Sequence, residues 1–300
     1  MENYRPISVI NIFSKVFEKI VYKQLYSYLE SKNVLSDSQF GFRHGRGTTK
    51  AILKHTRNVY RDLDDSRLHF SVYLDFKKAF DSVDHVVLLG KLYHYGVRGI
   101  TLDWFRSYLN NRSQHVDVNG VQSGIVPLTH SVPQGSNLGP LLFLLYINDL
   151  PNSTDYFNYI MFADDCTVSC SIERSSLHTA HIAINRHLGK ICNWLEANKI
   201  MINTRKTKYM LYAYRGDYRL SSPVIMNGTE IELVDRVKFL GVTLDNRLNY
   251  RYCVEEIVTK ISRAVGVIAK IRKFVPFYVL RMLYFSMIHP YINYLSLIHI

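Results

Sequence analysis

Tyr159-Ile160-Met161-Phe162-Ala163-Asp164-Asp165-Cys166-Thr167-Val168 is the stretch whose reading decides how this chain folds. Apolar and β-branched residues lead into two adjacent carboxylates, and the same pattern resumes beyond them. Residues 156–172 are therefore expected to form a hairpin with Asp164-Asp165 at or near its turn. A third carboxylate has a similar setting, because Asp75 closes the apolar run Phe70-Ser71-Val72-Tyr73-Leu74. Carboxylates at the ends of buried strands are costly unless something cationic neutralises them. Hard oxygen ligands suit magnesium. Two metal ions held by aspartates from separate strands can clamp the attacking and leaving oxygens of a phosphoryl transfer. Nucleotidyl transfer is the first chemistry these residues suggest.

The bulk composition agrees with a large folded protein. The chain has 300 residues, of which 47% are hydrophobic and 21% charged, enough for one large domain or two to three subdomains. The formal net charge is +12, with 22 tyrosines and 15 phenylalanines. That combination fits a protein that tracks a phosphate backbone and stacks on bases, although most of the aromatics are expected in the core. The four cysteines, Cys166, Cys170, Cys192 and Cys253, form no Cys-x-x-Cys pair, so neither a zinc site nor a disulfide framework is implied. The twelve histidines are scattered, and none is assigned to metal. Leu141–Ile147 is too short to span a bilayer, and Met282–Ile300, broken by Pro290 and Asn293, reads as packed helix; no membrane partner is expected.

Apolar residues recur at helical spacing in Ile12, Phe13, Val16, Phe17, Ile20, Val21, Leu25 and Leu29, which predicts an amphipathic helix over 12–29. A glycine-rich basic loop, Gly41 to Thr49, leads to a second helix from about Thr49 to Leu63. A strand is expected over 70–75, helix over Val86–Tyr95 and Trp104–Leu109, and a hairpin within 114–132 around Asn119-Gly120. Leu138–Leu150 and Leu177–Ala197 read as helices, and Lys208–Tyr214, Val224–Met226 and Val237–Thr243 as strands. From Tyr250 onward the pattern is helical and basic, with Arg251, Lys260, Arg263, Lys270, Arg272, Lys273 and Arg281 against Glu255 and Glu256. This end is either a solvated helix face or a surface that grips a nucleic-acid duplex.

The motifs then fall in a recognisable order. They are Tyr4-Arg5-Pro6-Ile7-Ser8, Gln39-Phe40-Gly41-Phe42-Arg43, Leu74-Asp75-Phe76-Lys77-Lys78-Ala79-Phe80-Asp81, Val132-Pro133-Gln134-Gly135-Ser136-Asn137-Leu138-Gly139-Pro140, Phe162-Ala163-Asp164-Asp165, Asn198-Lys199-Ile200 through Lys206-Thr207-Lys208, and Phe239-Leu240-Gly241-Val242. In this order and spacing the chain resembles the reverse transcriptase domain of non-LTR, jockey-like retrotransposons, over nearly its whole length to about Tyr294. The resemblance implies an α+β right-hand polymerase: fingers over 1–66, a palm with an antiparallel sheet over 67–244, a helical segment interleaved at about 85–130, and a thumb over 245–300.

The same resemblance implies RNA-directed DNA synthesis from a primer 3′-hydroxyl by two-metal nucleotidyl transfer. Its partners would be an RNA template, a DNA primer and deoxynucleoside triphosphates, and its cofactor two Mg²⁺ ions, with Mn²⁺ able to substitute. Asp75, Asp164 and Asp165 would hold the metals, with the carbonyl of Phe76 as an extra ligand. Phe80 would be the steric gate against a ribose 2′-hydroxyl, with a core phenylalanine as the alternative. Gln134 and Gly135 would lie beside the nascent base pair. Arg43 and Arg46 are both candidates for the triphosphate, since guanidinium reads phosphate oxygens bidentately. Lys206 would protonate pyrophosphate, with Lys199 and Lys208 as rivals. Leu240-Gly241 would grip the primer terminus, or form a plain strand turn. Nuclear action with a cytoplasmic ribonucleoprotein stage is expected from the family alone.

Two departures adjoin the nucleotide site. Ser131 stands where the family usually has glycine, and would be strained if φ is positive there. Asn137 stands where an aliphatic residue is usual. The last six residues, Leu295-Ser296-Leu297-Ile298-His299-Ile300, correspond to a sequencing-adapter sequence read as codons, so they are expected to be an artefact and the thumb truncated. Because the first motif stands almost at the start and such elements carry an endonuclease domain upstream, the chain is expected to be a fragment of a polyprotein. Two rivals stay open: an inactive nucleic-acid-binding remnant of such an element, and a group II intron-type reverse transcriptase.

Overall fold

The computed structural model describes residues 8–110 and 112–295, so most of the first motif and of the terminal hexapeptide lies outside the described residues. In chain order the elements begin with α1 (Ile12–Ser31), α2 (Thr48–Asp64), β1 (Leu68–Leu74), α3 (His85–His94) and α4 (Ile100–Leu109). Four short strands follow, β2 (Arg112–Gln114), β3 (Asp117–Val118), β4 (Val121–Gln122) and β5 (Val126–Leu128), and then α5 (Gly139–Ile147). The acidic hairpin is β6 (Asn158–Phe162) and β7 (Asp165–Ile172), followed by α6 (Leu177–Ala197) and β8 (Lys208–Tyr212). Next come β9 (Ile225–Met226), β10 (Thr229–Glu230), β11 (Glu232–Leu233), β12 (Arg236–Phe239) and β13 (Val242–Asp245). The end is helical: α7 (Arg251–Ile271), α8 (Phe277–Met287) and α9 (His289–Leu295).

The central sheet has the order β11-β8-β1-β7-β6, antiparallel except for the edge strand β11. All seven residues of β1 are buried, as befits a strand covered on both faces. The period of two divides the sheet cleanly. Leu68, Phe70, Val72 and Leu74, with Tyr159, Met161, Cys166, Val168, Tyr209 and Leu211, point into a core built with α3, α4, α5 and α6. Tyr73, Ile160, Met210 and Tyr212 point the other way, against α2, the β12–β13 hairpin and the start of α7. Residues Leu141–Ile147 of α5 are each at most 1% exposed, so their apolar run is core packing. Among the described residues no helix is long and apolar enough to cross a membrane.

The second face also holds a buried polar cluster. His55 Nε2 lies 2.9 Å from the Tyr73 hydroxyl, which is 2.5 Å from the Tyr212 hydroxyl. His69 donates from Nδ1 to Asp62 at 2.6 Å. Burial holds His55 neutral, its pKa pushed down to about 3.

Three expectations need correction. The α1 helix forms, but Ile12, Phe13, Val16, Phe17 and Ile20 are 53–81% exposed; of the predicted face only Leu25 and Leu29 are buried. Only its last turns reach the core, while Glu18, nearer its start, is buried under Tyr108. The stretch 237–243 is a hairpin and not one strand, because Leu240 and Gly241 both take positive φ, +46° and +87°, the signature of a two-residue turn. The helical end is helical but scarcely packed: α8 buries none of its residues, and Phe277 and Met282 are 78% and 61% exposed. The Asn119-Gly120 turn is as expected, joining β3 to β4 with both φ values positive.

Candidate active site

The register of the central sheet assembles the acidic residues. Leu74 of β1 pairs with Cys166 of β7, so the next step along both strands sets Asp75 opposite Asp165. Asp75 follows the parity of Tyr73, and Asp165 opposes it across the ladder, so both side chains leave on the face covered by α2 and the β12–β13 hairpin. Asp164 occupies the turn itself, after Ala163 at φ +55°. Asp75 and Asp164 are half-buried and Asp165 is exposed.

The loop after α6 fixes the backbone of Asp75. The Asp75 amide donates to Thr207 Oγ1 at 3.2 Å, and the Asn203 amide donates to the Asp75 carbonyl at 2.8 Å. The Lys77 amide donates to the Met201 carbonyl at 2.8 Å, which makes Phe76 the unbonded member of a bridge with Ile202. Because successive residues of a strand direct their hydrogen-bonding groups to opposite sides, the Phe76 carbonyl is turned toward the start of β7.

Does this donor set suit a divalent metal? Among the described residues, the carboxylates of Asp75 and Asp164 have neither a side-chain hydrogen bond nor an ion pair. No group of three or more His, Cys, Asp or Glu among the described residues closes into a ready cage. The two uncompensated carboxylates are hard oxygen donors of the kind that suit a divalent metal, with substrate phosphates and water able to complete its shell.

The remaining predicted residues divide by their surroundings. Of the two triphosphate candidates, Arg43 is the more enclosed: its side chain is 7% exposed, forms a fork with Glu30 at 2.9 and 3.0 Å, and also donates to the carbonyls of Leu35 and Ser36. Arg46, 24% exposed, donates to the Asp37 carboxylate at 2.5 Å and to the Asp37 carbonyl at 2.7 Å, and the Asp37 side chain is itself 92% exposed, so the ion pair is of small net worth. Phe80 is half-buried and stacks on Phe143 at 4.5 Å between ring centres. Gln134 Nε2 donates to Asp81 at 3.2 Å, and Gly135 is exposed at φ +107°. Lys199 pairs with Asp84 at 2.6 Å and Lys208 with Glu232, whereas the exposed Lys206 makes no ion pair among the described residues. Lys206 also rides on the loop that bonds both backbone groups of Asp75. Leu240-Gly241 is the turn of a hairpin outside the central sheet.

The two departures have structural consequences. Ser131 sits at φ +91°, outside the small left-handed region open to L-residues. Its amide donates to Val83 and its carbonyl accepts from His85, which hold it there. Asn137 bonds away from the sheet: its amide donates to Glu18 and its side chain to the Lys15 carbonyl.

Sequence reading missed Lys54. Its ammonium lies 5.4 Å from the centre of the Phe40 ring, on which Arg46 also sits at 5.5 Å, and burial with the nearby guanidinium pulls its pKa down. The helical spacing of Lys50 and Lys54 was the available signal.

The family model for reverse transcriptase (RNA-dependent DNA polymerase) matches residues 1–244. The chain belongs to the reverse transcriptase family. That family generally uses divalent metals. Among similar proteins of Drosophila melanogaster, the RNA-directed DNA polymerase from mobile element jockey is 29% identical over 281 residues, covering 90% of this chain and 30% of the relative. The probable RNA-directed DNA polymerases from transposon X-element and transposon BS are 30% and 29% identical, covering 88% and 83% of this chain and 29% and 28% of those proteins. The chain thus spans under a third of the length of these relatives. Among solved structures, apo telomerase from Candida tropicalis, truncated of its C-terminal domain, superposes with a TM-score of 0.50 at 12% identity, covering 77% of this chain and 44% of that one. That likeness supports the right-hand polymerase fold of this reverse transcriptase domain.

Proposed function

We propose that this chain is the polymerase core of a non-LTR retrotransposon protein, extending a primer 3′-hydroxyl with deoxynucleotides on an RNA template. The observation that carries the reading is the register that sets Asp75 against Asp165 and Asp164 with no cation among the described side chains to neutralise Asp75 or Asp164. Asp75, Asp164 and Asp165, with the Phe76 carbonyl, would hold two magnesium ions. Those ions, when bound, would acidify the primer hydroxyl and neutralise the triphosphate and departing pyrophosphate.

The chain's own residues do the rest. Arg46, with Lys54 beside it, offers positive charge for the triphosphate. Gln134 and Gly135 border the nascent pair, where the exposed glycine permits close backbone approach. The Phe80 ring, held by its stack on Phe143, excludes a 2′-hydroxyl. Lys206 donates the proton to pyrophosphate, and Leu240-Gly241 supports the primer terminus. In this division residues 1–66 are fingers, 67–244 palm with a helical segment interleaved at about 85–130, and 245–300 thumb, with the basic residues of α7 and of the turn after it, Arg272 and Lys273, against the duplex.

The test is primer extension on an RNA template with magnesium, comparing deoxynucleotides with ribonucleotides. Deoxynucleotide incorporation is expected, and Phe80→Val should admit ribonucleotides. Extension that ignores the 2′-hydroxyl in the wild-type chain would remove the gate. A second reading, a binding remnant without synthesis, is favoured by one observation, the Ser131 backbone at φ +91° beside the Pro133-Gln134-Gly135 turn. Salt-sensitive template–primer binding with no extension would select it.

A further inference from the structure

The Ala163-Asp164 turn contains no glycine, although Ala163 sits at φ +55° and is 5% exposed. A buried turn amide in that conformation needs an acceptor and a surrounding that over-determines it. Both come from one distant segment. Gln39 is 1% exposed, and its Oε1 accepts from the Ala163 amide at 3.1 Å and from the Gly41 amide at 2.8 Å. Two donors converging on one oxygen fix the orientation of the carboxamide, because the flipped amide would set NH₂ against two N–H groups. The flanking backbone makes a parallel bridge with β6: the Phe40 amide donates to the Met161 carbonyl at 2.7 Å, and the Met161 amide to the Ser38 carbonyl at 2.8 Å.

The approach is as close as backbone allows. A Cβ on Gly41 would fall 2.5 Å from the Ala163 nitrogen and 3.0 Å from the Phe162 carbonyl carbon. The segment is itself braced from both sides. Asn148 accepts from the Ser36 amide and donates to the Val34 carbonyl, while Arg43 donates to the carbonyls of Leu35 and Ser36. Residues 34–43 therefore form a braced strap, and its buried Gln39 Oε1 holds the peptide that precedes Asp164.

We infer that Gln39 is a positioning residue of this reverse transcriptase domain, aiming Asp164 and Asp165 by capping the Ala163 amide. This rests on the reading of Asp164 as a metal ligand. The partner that orients a metal ligand typically changes metal affinity by about ten- to a hundredfold when removed. A side chain that merely fills space would change stability and leave metal affinity alone.

The test is a Mn²⁺ titration of the free 300-residue chain by electron paramagnetic resonance, comparing wild type, Gln39→Met, Gln39→Glu and Asp164→Ala, with thermal melts alongside. Gln39→Met removes the acceptor at similar volume and should weaken Mn²⁺ binding by about tenfold. Gln39→Glu keeps an acceptor oxygen and should bind no more weakly than wild type. Weakened Asp164→Ala beside an unchanged, folded Gln39→Met would overturn the inference alone, as would equal weakening in Gln39→Glu and Gln39→Met. An unchanged Asp164→Ala would overturn the underlying reading. Should Gln39→Met fail to fold, amide hydrogen exchange of the wild-type chain decides: the Ala163 amide should exchange as slowly as the ladder amides of β6 and β7. Fast exchange there would overturn the inference.

Discussion

Two hairpins, β6–β7 within the central sheet and β12–β13 packed on one of its faces, both turn in two residues, yet they are built differently. The β12–β13 turn places a glycine where its backbone asks most: Leu240 and Gly241 take φ +46° and +87°, and the glycine bears the more demanding value. The β6–β7 turn has alanine at φ +55° and borrows its hydrogen-bond acceptor from Gln39. A glycine turn is easily formed and easily moved. An alanine turn pinned by a buried carboxamide has fewer alternatives, which suits a turn that must aim two carboxylates.

The largest expected effect acts on both hairpins together, at the histidine between their supports. His55 contacts Tyr73 of β1 and lies 5.1 Å ring to ring from Phe239 of β12, with His69, Asp62 and Tyr212 around it. Its folded pKa of about 3 lies below the unfolded value of 6.5. The unfolded chain therefore binds a proton that the folded chain refuses, and stability present above pH 6.5 is lost as pH falls toward 3. Each unit costs about 1.4 kcal/mol, so the total approaches ~5 kcal/mol. Urea midpoints measured from pH 7 to pH 4 should fall along this line, and His55→Phe should make the fall shallower, leaving the part due to His69, whose pKa burial also lowers.

Gly41→Ala separates the hairpins. The added methyl must displace the strap from Ala163, and a misplacement of about 1 Å near reacting groups can cost about a hundredfold in rate. Extension at saturating nucleotide should drop on that scale, while template–primer binding is kept. Gly241→Ala tests the other hairpin: a side chain at φ +87° should cost about 1 kcal/mol in a urea melt. The smallest effect is a gain. Ser131→Gly relieves a serine at φ +91° and should stabilise the chain by somewhat under about 1 kcal/mol, read as a rise in melting temperature.

What the sequence made legible follows from what local patterns encode. The acidic hairpin and the strand that leads into Asp75 were readable because period-two alternation and turn residues act over a few positions, and the α5 helix because its apolar run is continuous. The strain at Ser131 was readable from the residue type that usually stands there. The exposure of the first half of α1 was not, because amphipathic spacing says which face is apolar and not whether anything covers it. The structural role of Arg43 was hidden for a related reason: its partners Glu30, Leu35 and Ser36 are set by the fold of a loop. The pinning of Ala163 by Gln39 joins residues far apart in the chain, and no periodicity reports that.

The central claim is that the sheet register unites Asp75 with the Asp164-Asp165 turn in one metal centre. Primer extension on an RNA template, with Asp75→Asn, Asp164→Asn and the double variant, tests this most directly. Residues serving one centre are strongly non-additive. The account predicts that each single change nearly abolishes extension and that the double variant is hardly worse than either. Additive losses, or a single variant that keeps wild-type extension, would contradict it.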